Sequence, residues 1–223
     1  MKPFQAAAAT HKGHRRSDNQ DHYFIDPNLE YFAVADGIGG LPAGAKASAA
    51  AINSLRRQIS VFPPPEMGEL FQNCHHAVRD IARRHSPILG CGTTLTVLRQ
   101  SKPYWEIGHI GDSLAFCLSK EPPSLRTLTS SHQVAVEGDP YRHRLHRYLG
   151  QPERMFCEYR RFLGCGDETL LLATDGIGEL SKLEKLRPYL QRELPPQALA
   201  NLLLRESLRL GGHDNVTILV CGK

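Results

Sequence analysis

Short runs of alternating apolar and polar residues open the chain. HYFID (22–26) and EYFAVAD (30–36) flank the turn signal Pro27-Asn28 and predict two strands. The period then changes. AGAKASAAAINSLRRQIS (43–60) is rich in alanine and free of proline, which favours helix, and FPPPE (62–66) breaks it. In EMGELFQNCHHAVRDIARRHS (66–86), Met67, Leu70, Phe71, Cys74, Val78 and Ile81 recur at helical spacing and predict a second helix. Threonine, valine, isoleucine and aromatic residues then dominate CGTTLTVLRQ, PYWEIGHIG, SLAFCLS and SLRTLTS, four strand-like runs between residues 91 and 130. Residues 131–150 read as polar and irregular. Strands resume at MFCEYRRFL (155–163) and ETLLLATD (168–175). A helix that starts on proline and stops at glycine, PPQALANLLLRESLRLG (195–211), precedes a last strand, NVTILVCG (215–222).

β-like runs joined by short turns imply antiparallel sheets, and the helices must cover their outer faces. The class is α+β, not a doubly wound alternation. No internal repeat and no low-complexity linker divides the 223 residues, so one domain over 1–223 is expected. An apolar fraction of 41% and a charged fraction of 22% are those of an ordinary globular protein. A formal charge of +4 is too modest, and its basic spots HKGHRR (11–16) and YRHRLHRY (141–148) too short or too mixed, for a nucleic-acid partner. Six cysteines, at 74, 91, 117, 157, 165 and 221, lack metal-ligand spacing and read as reduced, mostly buried thiols. The N-terminal stretch is too weakly apolar for a signal peptide, and no run approaches the ~20 residues of a membrane span. A cytoplasmic monomer without membrane contact is expected.

Chemistry concentrates at strand ends. Asp36 closes EYFAVAD, Asp175 closes LLLAT, Asp112 follows HIG, Asp214 opens the last strand, and Asp21 precedes HYFI. Two of these aspartates begin the same tetrapeptide, Asp-Gly-Ile-Gly, at 36–39 and 175–178. A single Asp-Gly is most often only a turn. A glycine loop after a strand can also cradle a nucleotide phosphate, but that reading gains nothing from Asp36 and leaves Asp175 and Asp214 unexplained. Five carboxylates brought to one sheet edge would repel one another unless a cation neutralised them, and oxygen ligands favour Mg²⁺ or Mn²⁺. Zinc is disfavoured, because no Cys/His set has suitable spacing.

Six segments, in order, carry a resemblance: GHRRSDNQD (13–21), VADGIGG (34–40), GCGTTLTV (90–97), HIGDS (109–113), LATDGI (172–177) and GHDNVT (212–217). Together they span nearly the whole chain. The sequence resembles the metal-dependent PPM (type 2C) serine/threonine protein phosphatases, the bacterial members in particular. That resemblance implies a four-layer α-β-β-α sandwich of two antiparallel sheets flanked by helices. It also implies hydrolysis of phosphoserine and phosphothreonine in proteins by a water activated at a binuclear Mg²⁺/Mn²⁺ centre, opposing a serine/threonine kinase. Asp36 would bridge two ions, the Gly37 carbonyl would be a ligand, and Asp175 and Asp214 would complete the second site. Asp21 would act through water, Asp112 would help hold a third ion, and Arg16 would grip the substrate phosphate with its planar fork. Two metals about 3.5–4 Å apart can share a water and lower its pKa.

The chain departs from the family pattern at several points. Ile38 stands where methionine or histidine is usual, Leu114 where arginine follows Gly-Asp-Ser, and Ser131 where aspartate precedes His132. The flap region, about 131–150, is short, which should open the cleft and present Arg142, Arg144 and Arg147 to acidic phosphoproteins. His75 and His76 read as ordinary surface or groove residues of a helix, and His213 as at most a neighbour of the metal ligands. The alternative function is a catalytically weak phosphoprotein-binding pseudophosphatase.

Overall fold

The computed structural model describes residues 5–28, 30–38, 41, 43–120, 123–136, 139–164 and 166–222, with side chains at 136 and 139–143 left aside. Cys165, Gly39 and Gly40, and the side chain of Arg142, therefore lie outside the described residues.

The first two predicted strands are β2 (Asp21–Asp26) and β3 (Tyr31–Asp36), paired antiparallel so that Asp21 sits directly opposite Asp36. They are preceded by β1 (Gln5–His11), which the sequence reading missed. Its QAAAATH favours helix by propensity, but pairing along its full length with the C-terminal strand overrides that preference. The two predicted helices follow as α1 (Gly44–Ile59) and α2 (Met67–His85). Next come β4 (Leu95–Ser101), β5 (Tyr104–Ile110), β6 (Leu114–Ser119) and β7 (Ser124–Thr127). The stretch read as irregular contains a hairpin, β8 (Gln133–Val136) and β9 (Asp139–Leu145), whose register slips between Ala135 and Val136. Its polar composition hid it, since neither face carries a continuous apolar row. The chain ends with β10 (Glu158–Leu163), β11 (Thr169–Ala173), a 3₁₀ turn (Asp175–Ser181), α3 (Leu183–Leu190), α4 (Pro196–Leu210) and β12 (Val216–Gly222).

Two five-stranded antiparallel sheets result, in the orders β1-β12-β11-β6-β7 and β10-β5-β4-β3-β2. The period-2 rule decides which side chains face which layer. Along β3, Phe32 and Val34 point to the other sheet, meeting Leu170, Leu172 and Leu219, while Ala33 and Ala35 point outward to the helices. Along β12, Leu219 and Cys221 face the middle layer, and Val216, Ile218 and Val220 face α3 and α4. On α1, Ala47, Ala51 and Leu55 form the stripe that meets Leu70, Phe71, Cys74 and Val78 of α2 above the second sheet. On α4, Leu199, Ala200 and Leu203 close the opposite face. The layers therefore run helix, sheet, sheet, helix, as expected. Among the described cysteines, 74, 91, 117 and 221 are buried and 157 partly so, all reduced. No helix among the described residues is long and apolar enough to cross a membrane.

Candidate active site

The aspartates gather where the ends of the two sheets meet. Asp21 and Asp36 come from β2 and β3 of one sheet. Asp175 follows β11 and Asp214 precedes β12 in the other, and Asp112 lies in the β5–β6 turn. The two Asp-Gly-Ile turns thus stand on opposite sheets and contribute to one cluster. Asp36 feels the charges of Asp21, Asp175, Asp112 and Asp214, and its carboxyl lies within hydrogen-bonding reach of both Asp21 and Asp175.

Burial and mutual repulsion raise the carboxyl pKa values. Asp36 is pushed well above the usual range, first by burial and then by Asp21. Asp21 rises to about 6, through burial offset in part by bonds from Thr217 and Thr174. Asp175 opens onto the cleft yet is densely surrounded, and desolvation followed by Asp112 raises it to about 7. Such a cluster binds either protons or a cation.

Hydroxyls and backbone groups fix the buried wall. Thr174 and Thr217 donate to Asp21 Oδ2 at 2.9 and 2.7 Å, whereas the buried Oδ1 faces no N–H or hydroxyl. An oxygen stripped of water in this way needs a positive partner. The Asp36 N–H donates to Thr94 Oγ1 at 2.9 Å, and its carbonyl accepts from Thr93 Oγ1 at 2.7 Å and from the Thr94 N–H at 2.9 Å. Gly37 has no room for a side chain, because a Cβ would stand 2.4 Å from the Gly44 carbonyl oxygen. The donor set is hard oxygen throughout, with one orphaned oxygen, and fits a magnesium- or manganese-class ion.

The second wall is more open. Arg16 donates from Nε to Asp214 Oδ1 at 2.8 Å and from Nη2 to Oδ2 at 2.7 Å. The guanidinium assigned by sequence to a phosphate is thus forked onto a carboxylate, which raises its own pKa. Asn215 holds the approach to this wall. Its Nδ2 donates to the Lys12 and Asp18 carbonyls at 2.9 and 2.8 Å, and its Oδ1 accepts the Gln20 N–H at 2.9 Å, so the Arg16 loop is anchored on β12. Gly176 passes so close to this segment that a Cβ would lie 1.9 Å from the Asn215 carbonyl oxygen.

Asp112 has its own support. Gln133 Nε2 donates to Asp112 Oδ2 at 2.5 Å. His132 and Gly111 exchange two bonds, N–H to Nδ1 at 3.0 Å and N–H to carbonyl at 2.9 Å. Burial raises the Asp112 pKa, and the Gln133 bond opposes the rise. Where Ser131 lacks a carboxylate, Glu158 of β10 stands 3.8 Å from His132 Nε2. His109, His132 and Glu158 bring ligand-type atoms within 4.8 Å of one another. They are not arranged for a cation: His109 Nε2 points at the Gly111 and Ser130 carbonyl oxygens at 3.1 and 3.0 Å and must carry the proton, while Nδ1 meets Thr96 Oγ1.

The structure corrects the reading of His75, which is buried and accepts the Gly150 N–H at 3.2 Å; burial lowers its pKa to about 4. His213 is exposed in a groove of about 360 Å³ lined also by Asp175 and Asp214. Thr174, Thr217, Thr93, Thr94, Asn215 and Gln133 carried no assignment from sequence. All but Gln133 lie inside the quoted motifs; Thr174, Asn215 and Thr217 stand beside or near a carboxylate in sequence, and for these that adjacency was the available signal, whereas Thr93 and Thr94 have no acidic neighbour in theirs.

The family model described as Protein phosphatase 2C matches residues 8–208. Protein phosphatase PhpP of Streptococcus pneumoniae is 26% identical, over 94% of this chain and 93% of its own length. Serine/threonine protein phosphatase PstP of Mycobacterium tuberculosis is 30% identical over 96% of this chain, which spans 44% of that protein. The crystal structure of the Mycobacterium tuberculosis serine/threonine phosphatase PstP/Ppp superposes with a TM-score of 0.84 at 25% identity, covering 98% of each chain. The PstP catalytic domain in complex with two manganese ions gives a TM-score of 0.83 at 25% identity, covering 98% of this chain and 97% of that one.

Proposed function

The chain belongs to the protein phosphatase 2C family and is by that membership a protein serine/threonine phosphatase; from this premise we propose that it hydrolyses phosphoserine and phosphothreonine in proteins at a manganese or magnesium centre. The observation that carries the reading is the convergence of Asp21, Asp36, Asp175 and Asp214 from two sheets, with carboxyl pKa values raised and one buried Asp21 oxygen lacking a donor.

Asp36, the Gly37 carbonyl, Asp175 and Asp214 would hold two ions, with Asp21 acting through water. Bound there, the ions would supply positive charge for the phosphoryl oxygens and acidify a water for attack on phosphorus. The protein's own groups do the rest. Thr174 and Thr217 aim the Asp21 carboxylate by holding one oxygen, leaving the other for the centre. Arg16 exchanges Asp214 for the substrate phosphate, since its fork matches either oxyanion. Ile38 carries no proton, so protonation of the leaving alkoxide falls to water. A third ion at Asp112 requires Gln133 to release or to turn its amide oxygen inward. We assign the whole of 1–223 to one catalytic domain, acting as a monomer in the cytoplasm and opposing a serine/threonine kinase.

The test is hydrolysis of p-nitrophenyl phosphate with manganese, abolished by EDTA and by Asp175→Asn. Phosphopeptide binding without any turnover would instead establish the pseudophosphatase.

A further inference from the structure

An exposed apolar pair lies on the turn between α2 and β4. Ile88 and Leu89 are adjacent in sequence and 93% and 66% exposed. Single exposed aliphatics are ordinary, but a neighbouring pair on the wall of a groove marks a contact surface. The groove holds about 310 Å³, and Leu41, Tyr148, Arg79 and Arg83 complete its walls.

One end of this groove reaches the proposed metal-binding turn. Ile38 follows Gly37 directly; its N–H donates to the Gly92 carbonyl at 3.0 Å, and its carbonyl accepts the Leu41 N–H at 3.0 Å. The Tyr148 ring and the Ile38 side chain both close over Gly92, where a Cβ would stand 2.5 Å from Tyr148 Cδ2 and 2.8 Å from Ile38 Cδ1. A chain lying in the groove would therefore run toward the phosphate position.

Charge indicates what such a chain would carry. The last three turns of α2 present Arg79, Arg83 and Arg84 against a single acid, Asp80. Asp80 is already bridged to Arg83 at 2.8 Å, while Arg79 donates, among the described residues, to the Pro152 carbonyl at 3.4 Å. Glu153, whose charge acts on Tyr148, is a second acid, and the three arginines outnumber the two. Two guanidiniums lining a groove beside an aliphatic surface suit acidic and apolar side chains presented together, an incoming carboxylate competing with Asp80 for Arg83.

We propose that this groove binds the segment flanking the phosphorylated residue of a protein substrate, seating an apolar side chain on Ile88 and Leu89 and acidic side chains at Arg79 and Arg83. The proposal rests on the phosphatase reading above and adds the substrate class, acidic-apolar phosphoprotein segments. It is tested with a phosphothreonine peptide carrying aspartates and leucine beside the phosphoresidue, a second peptide with serine and glycine in their place, and p-nitrophenyl phosphate. The proteins are wild type, Ile88→Ser/Leu89→Ser and Arg79→Gln/Arg83→Gln; all four positions lie outside the catalytic machinery. Each double variant should raise KM for the acidic-apolar peptide by about tenfold, the loss of one or two apolar or charged contacts, with kcat unchanged. Activity on p-nitrophenyl phosphate and on the serine-glycine peptide should stay at wild-type level.

Unchanged KM in both variants, with normal p-nitrophenyl phosphate hydrolysis, overturns the groove and leaves the phosphatase reading standing. A change of oligomeric state in Ile88→Ser/Leu89→Ser with unaltered peptide KM gives the face to a second copy of the chain and also overturns it. If wild type turns over no phosphomonoester, the phosphatase reading fails by itself. Fluorescence anisotropy of the labelled peptide then decides the groove, with weaker binding to both variants supporting it and equal binding overturning it.

Discussion

The two walls of the site use the same opening tripeptide, Asp-Gly-Ile, in different surroundings. On the first, Asp36 faces Asp21 across a β-ladder, and four threonines hold the pair, Thr93 and Thr94 on one side and Thr174 and Thr217 on the other. On the second, Asp175 opens onto the cleft, and Asp214 is held by Arg16, whose side chain is 44% exposed. The first wall has few alternatives to its present geometry; the second can exchange partners without disturbing the core. A site that must keep its ions and release its product gains from that division: a fixed side to hold charge, an open side to admit and let go an oxyanion.

Substitutions should break this contrast in graded fashion. Asp36→Asn is expected to cost most, more than about 100-fold in kcat with manganese, because in its proposed place as a direct ligand Asp36 would exceed the range for outer partners. Thr217→Val should follow, lowering manganese affinity about 10–100-fold by isothermal titration, since Asp21 loses an orienting hydroxyl. Arg16→Lys should raise KM for phosphoprotein about tenfold while leaving manganese affinity near wild type, because an ammonium lacks the fork. Gln133→Ala should act least, by a fewfold change in the weakest manganese affinity and none in Tm.

pH sharpens the same comparison. Asp21 and Asp175 have folded pKa values of about 6 and about 7, raised from 3.8, so between those limits the folded state holds more protons than the unfolded. Their contribution to stability is present below 3.8 and is lost as pH rises through 6 to 7. His75 and His109, both lowered to about 4, act oppositely and remove stability as pH falls below 6.5. The manganese-induced rise in Tm isolates the carboxylates from the histidines. It should be largest near pH 7.5 and shrink toward pH 5.5, as protons compete for the same oxygens.

The layers, the three long helices α1, α2 and α4, and most strands were legible because their apolar periods are strong, whereas the eight-residue α3 carried too short a pattern to be read. β1 was not, since four alanines carry no strand signal and only the exposed edge of β12 recruits them. The hairpin of β8 and β9 was missed because its sequence carries no continuous alternating apolar row. The carboxylates were visible as repeated strand-end aspartates followed by glycine. What lay beyond reach was long-range pairing: Asn215 anchoring Lys12 and Asp18, Gln133 on Asp112, and Arg16 forked on Asp214 across 198 residues of chain. No local pattern encodes such partners.

Counting manganese ions by electron paramagnetic resonance, in wild type and in Asp36→Asn, tests the two-wall site most directly. The account predicts two spin-coupled ions in the wild type and neither in Asp36→Asn, with the variant still folded by circular dichroism. Two ions retained in Asp36→Asn, or none bound by the wild type, would contradict it.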